Sequence, residues 1–142
     1  MSAMVQLGSF AAAALADTYA VALSPTTFGG GRRDVLALRG EPAFRAATLL
    51  TSIEFKVQTS RTADGAADAT DSRWTDLRLY RSHDPAAAPL VEQSVTAQAG
   101  KTVGWDVYCE LGHRGRDFLR VLAKKTGGAA SGADALVLWG SP

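Results

Sequence analysis

Asparagine is absent from the 142 residues, and cysteine occurs once, as Cys109. Without asparagine no N-glycosylation sequon can be written. With one cysteine no intrachain disulfide can form. Cys109, His83 and His113 stand at spacings that match no Cys/His zinc site. Long hydrophobic runs are missing too. The apolar, alanine-rich stretch Phe10 to Leu15 is too short to span a bilayer, and no Lys or Arg precedes it as a secretory signal requires. Residues 1 to 16 in fact carry no charge at all. Nor does one sign of charge prevail: 15 basic and 14 acidic residues are interspersed, for a net charge of +1. That excludes the basic face or stripe of a nucleic-acid-binding protein. Neither a nucleic acid nor a membrane is expected as a partner.

What is present suits a single domain with a real core, since 46% of the residues are apolar. The stretch Leu49 to Tyr80 organises the rest. Ile53, Phe55 and Val57 alternate with Glu54, Lys56 and Gln58, and Thr75, Leu77 and Leu79 alternate with Asp76, Arg78 and Tyr80. A period of two gives strands with one dry and one wet face, and their succession predicts a central antiparallel pair. Further strands are expected at Tyr19 to Leu23, Asp34 to Arg39 (stopped by Gly40, Glu41 and Pro42) and Leu90 to Val95. Three more are expected at Val103 to Cys109, Phe118 to Lys124 and Ala135 to Trp139. Gly100-Lys101 reads as a hairpin turn. Residues 1 to 16 read as an extended arm or a short helix. About eight strands and no convincing long helix is the pattern of an all-β sandwich or barrel. The divisions are 1–17, an apolar N-terminal arm or cap, and 18–142, the β domain.

Motifs for chemistry fail one by one. Gly100-Lys101-Thr102 lacks the earlier glycine of a phosphate loop, because Val95 holds that position. Asp64, Asp68 and Asp71 lie in the long polar loop Thr59 to Arg73, with Asp76 beyond it. Their number suits calcium better than their spacing does, so a solvated loop is the expectation. His113 has Glu110 and Asp117 nearby but no G-x-S-x-G elbow to serve. Cys109 lies on a dry strand face and reads as a small hydrophobe. Trp74, Trp105, Trp139 and Tyr80 can fill a core or form a sugar platform; of the tryptophans, Trp74 is the best candidate for exposure. Paired arginines in glycine-rich loops, Arg32-Arg33 and Arg114 with Arg116, can grip an anionic group on a partner. No catalytic group, cofactor or metal is expected, and the chain does not read as an enzyme.

The text FKVQTS, a polar loop, RWTDL, then RDFLRVLAKKTGG and a closing ALVLWG, over residues 18 to 139, resembles the jelly-roll decoration or cement proteins on tailed-phage capsids. The resemblance implies an eight-stranded jelly-roll sandwich on the outer surface of a virion. It implies a homo-oligomer, trimer or dimer, that binds the major capsid protein and stabilises the head by bridging its subunits. Contacts would then come from the neutral N-terminal segment (Val5, Leu7, Phe10, Leu15), which can equally cap its own core as an edge strand. They would also come from Arg32 and Arg33 and from the long loop (Asp64, Asp68, Arg73, Trp74). Similar text occurs in carbohydrate-binding and discoidin-like sandwiches, and that alternative predicts Trp74 and Tyr80 exposed beside a polar cleft. A hydrolase would instead need His113 in a concave site.

Overall fold

A computed structural model describes residues 5–11, 15–23, 37–44, 49–81, 88, 90–103, 105–109, 118–127 and 135–141. Those residues hold ten strands and no helix: β1 (Val5–Ala11), β2 (Ala20–Leu23), β3 (Ala37–Ala43), β4 (Leu50–Ser60), β5 (Thr75–Asp76), β6 (Leu79–Arg81), β7 (Gln93–Thr96), β8 (Trp105–Cys109), β9 (Phe118–Gly127) and β10 (Ala135–Ser141). The described part of the protein is all-β and its ladders are antiparallel. One sheet has the order β1-β10-β3-β8-β6, and the other β2-β9-β4-β5, with β7 also paired to β4. The arrangement is consistent with a β-sandwich. Successive principal strands alternate between the sheets, and strands from the first half pair with strands from the second: β1 with β10, β2 with β9, β3 with β8, β4 with β7.

The two longest strands, β4 and β9, form the main ladder, running from Leu50 opposite Gly127 to Ser60 opposite Phe118. Cross-strand partners share a face. Ile53, Phe55 and Val57, with Val121 and Ala123 opposite the last two, therefore line one side, where each is fully buried. Leu15, Leu23, Phe44, Leu50, Leu79, Val95 and Leu119 also belong to this core. The alternation that predicts dry faces at Ile53 to Val57 and at Leu119 to Ala123 is thus realised.

A local irregularity marks the start of the ladder, where the register shifts between Leu50 and Ser52. Gly127 sits there with φ 113°, and a Cβ on it would collide with the backbone nitrogen of Thr51. Only glycine accommodates both the conformation and the approach.

Several expectations need correction. The central pair is short: β5 meets β4 only at Gln58–Asp76 and Thr59–Thr75, with one further bond from the Leu77 N–H to the Val57 carbonyl at 2.9 Å. The chain then crosses, and Leu79 pairs with Cys109 of β8 and bridges Leu90. Leu79 still reaches the core, so the dry face survives although the strand is divided between sheets. Gly100-Lys101 is not a hairpin turn, since β7 and β8 belong to different sheets. The turn from Gln98 to Lys101 instead delivers Lys101 and Thr102 to the end of β3, where the Phe44 N–H donates to the Lys101 carbonyl at 2.9 Å. Strand β3 also runs through Gly40, Glu41 and Pro42. Pro42 is tolerated because the ladder to β8 ends at Gly40 and resumes only as the bridge Ala43–Thr102, so no N–H is required of it on that side.

Residues 5–11 are neither a helix nor a free arm. They form the edge strand β1, antiparallel to β10, with the register shifting between Gln6 and Gly8 around Leu7. Of the two forms open to the N-terminal segment, the structure takes the one in which it extends the protein's own sheet.

Candidate functional site

The face of β4 and β9 away from the core carries the residues that alternation assigns to water. Register places Glu54 opposite Lys124, Lys56 opposite Leu122, Gln58 opposite Arg120 and Ser60 opposite Phe118. Most of these are nevertheless enclosed: Glu54, Gln58 and Ser60 are buried, and Arg120 has 0% exposure. What covers one end of this face is the chain between Ser60 and Thr75.

That segment is built from local turns. The Asp68 N–H donates to the Gly65 carbonyl, the Asp71 N–H to the Asp68 carbonyl and the Trp74 N–H to the Asp71 carbonyl, at 3.0, 3.1 and 3.2 Å. Short polar side chains lock each step, as Asp, Ser and Thr do when they bond backbone two residues ahead. The Thr62, Asp64, Thr70 and Arg73 N–H groups donate to Ser60 Oγ, Thr62 Oγ1, Asp68 Oδ1 and Asp71 Oδ1. Gly65 supplies a positive φ of 71° where the first of the three turns begins.

Arg120 fastens this loop to the sheet. Its Nε and Nη2 donate to Gln58 Oε1 at 2.9 and 2.7 Å. Its Nη1 donates to the carbonyls of Gly65, Ala66 and Asp68 at 3.1, 2.9 and 2.9 Å. The guanidinium lies 4.7 Å from the Trp74 ring, whose Nε1 donates to the Asp64 carbonyl at 3.0 Å. Cation–π contact and carbonyl acceptors thus replace the water a guanidinium would otherwise hold. Burial pulls the Arg120 pKa down and the nearby Asp71 and Asp68 oppose this; a guanidinium stays charged throughout.

The outward side of the loop presents Asp64, Asp68 and Arg73. Hydrogen bonds from the Thr70 hydroxyl and N–H hold the Asp68 carboxyl below its usual range. The Arg73 side chain and N–H lower Asp71 to about 2. Arg73 Nη2 lies 2.7 Å from Asp71 Oδ2 and its Nη1 3.7 Å from Asp64 Oδ2. The Asp64 side chain is 76% exposed.

Beyond the loop, Gln58 Nε2 donates to Asp76 Oδ1 at 2.8 Å, and Lys56 pairs with the same oxygen at 3.5 Å. Lys56 and Lys124 approach the Tyr19 ring at 4.6 and 4.8 Å. The Tyr19 hydroxyl donates to Glu92 at 2.5 Å; burial, then that bond, pushes its pKa up. Glu54 accepts from the hydroxyls of Ser52 and Thr126. The polar groups of the covered face therefore largely satisfy one another. That is the character of a scaffold. Among the described residues no three His, Cys, Asp or Glu side chains gather as a metal site.

The expected contact residues divide accordingly. Asp64, Asp68 and Arg73 are all exposed on the loop, and Arg73 approaches Asp64. Trp74 is corrected: it is 4% exposed, because it packs under the loop against Arg120, and the sugar platform that needs it exposed is lost. Leu15 is corrected as well, being 7% exposed in the core. Val5, Leu7 and Phe10 belong to β1. Arg32, Arg33, Arg114, Arg116 and His113 lie outside the described residues.

Arg120, Gln58 and Tyr19 were not legible as a unit. The available signal was the pair Phe118 and Leu122, apolar residues on the face shared with Arg120, which call for a cover. No protein-family model, curated protein or solved structure matches the chain.

Proposed function

We propose that this chain is a structural virion protein of the capsid decoration or cement kind. It binds the outer capsid surface and stabilises the head by bridging major capsid subunits, as a homo-oligomer. The observation that carries this reading is the strand order. The nested pairs β1–β10, β2–β9, β3–β8 and β4–β7 are those of a long hairpin rolled upon itself. The orders β1-β10-β3-β8 and β2-β9-β4-β7 support reading the fold as an eight-stranded jelly-roll sandwich in which β5 and β6 are a short insertion before β7.

The resemblance of FKVQTS, RWTDL and RDFLRVLAKKTGG to phage decoration proteins concerns the same β4–β9 scaffold and the loop beside it. A rigid β-scaffold with an ordered, charged outer loop suits a contact protein that works by fit.

The test is to mix the purified protein with undecorated capsids from its source. Saturable binding at a fixed ratio to the major capsid protein is expected. Failure to bind any such capsid overturns the reading.

A further inference from the structure

We infer that Arg120 is the positioning residue of the 61–74 loop, and that the loop meets its partner as a preformed surface; the partner's identity alone rests on the reading above. Arg120 is fully buried, so it touches no partner and can act only through what it holds. It holds the Gly65–Asp68 turn at backbone carbonyls, so that part of the grip does not depend on the turn's side chains. The carbonyls of Gly65, Ala66 and Asp68 converge on Nη1, while Gln58, fixed in β4, takes Nε and Nη2. One planar group therefore ties three parts of the fold together: strand β9, strand β4 and the turn that starts at Gly65. Trp74 closes the far end of the loop over the same group.

A lysine cannot substitute. A single ammonium has three donors on one atom and no plane to lie against an indole. With the loop fixed from beneath, Asp64, Asp68 and Arg73 are displayed in one arrangement, and binding does not incur the entropy of ordering the segment.

Hydrogen exchange on the full chain separates this from a generic stabilising role. In the wild type the turn amides of Asp68, Asp71 and Trp74, each hydrogen-bonded within the loop, should exchange slowly. In Arg120→Lys and Arg120→Met they should exchange on the order of a hundredfold faster, while the amides of the β4–β9 ladder stay within a few-fold of wild type. Gln58→Ala loosens the same amides from the other side of the clamp, and serves if the Arg120 variants do not fold. Loop and ladder amides accelerating together, or turn amides already unprotected in the wild type, overturn the inference.

Capsid binding supplies the second readout. Arg120→Met should bind undecorated capsids about tenfold more weakly, and Asp64→Ala should weaken binding without altering loop protection. A loosened loop with unchanged capsid affinity overturns the positioning role. If the wild type binds no capsid, the functional reading falls and the exchange result still stands.

Discussion

The two faces of β4 are both buried, but by opposite means. On one, Ile53, Phe55 and Val57 are shut away by apolar side chains from both sheets. On the other, Glu54, Gln58 and Ser60 are shut away by polar groups whose hydrogen bonds are met: Gln58 between Arg120 and Asp76, Glu54 between Ser52 and Thr126, and Ser60 accepting from Thr62. The first face gains from removing hydrocarbon from water and tolerates adjustment of shape. The second gains little net energy per bond, yet it is costly to disturb, because any partner removed leaves a buried group unsatisfied. The apolar face therefore sets how stable the protein is. The polar face sets which conformation the long loop adopts.

Phe55→Ala should have the largest effect. Phe55 is fully buried between Ile53 and Val57 on the same side of the strand. Its truncation should cost about 3–5 kcal/mol of global stability, read as a lower urea midpoint with the transition still cooperative. A loss confined to the loop would reverse the assignment of the two faces.

Gly65→Ala strikes the polar face. A Cβ at Gly65 would run into the Asp71 carboxylate and lie 2.8 Å from Arg73 Nη2, at a φ of 71°. A cost of about 1–2 kcal/mol is expected, concentrated in faster exchange of the Asp68 and Asp71 amides. Equal protection in the variant would mean that the turn does not depend on this glycine.

How much of this was legible follows from which face is read. Alternation marks Ile53, Phe55, Val57, Leu119, Val121 and Ala123 as interior, since a period of two needs only a local pattern. The antiparallel β-class follows from the spacing of such segments and of turn residues. The same logic assigns Gln58 and Arg120 to solvent. It errs because burial of that face depends on a loop folding back from more than fifty residues before Arg120 in the sequence, a non-local event that no local period encodes. The Asp- and Ser-rich loop reads as solvated for the same reason. Its side chains spend their hydrogen bonds on the loop's own backbone, so a composition typical of exposed coil builds a series of turns. The split of Thr75 to Tyr80 between sheets was hidden because Leu77 and Leu79 face the core in either arrangement.

Acid should separate the faces next. The Asp71 carboxyl is lowered from 3.8 to about 2 by Arg73. A depressed carboxylate contributes stability that is complete above its unfolded value and lost as pH falls through the folded one. Loop protection should therefore hold from neutral pH to about 4 and weaken toward 2, with Asp68 shifted in the same direction. Ile53, Phe55 and Val57 carry no titrating group. Exchange measured across this range, corrected for intrinsic rates, should show the Asp71 and Trp74 amides opening before those of the ladder. Opening already at pH 5 would show that Asp71 does not hold the turn.

The smallest expected effect lies where the two faces meet. Thr59 follows Val57 on the apolar side of β4, 9% exposed, and its Oγ1 has no hydrogen-bond partner among the described residues. It is a polar atom on the wrong side of the strand. An unmet buried hydroxyl costs free energy without return, and valine has nearly the same shape without it. Thr59→Val should accordingly leave stability unchanged or raise it by up to about 1 kcal/mol. Thr59→Ser, which keeps the hydroxyl and removes the methyl, should lower it by about 1 kcal/mol. Thermal unfolding of the two variants beside the wild type decides the matter. A valine variant clearly less stable than wild type would mean that the Thr59 hydroxyl belongs to the polar network after all, and that the boundary between the faces lies one residue nearer the core.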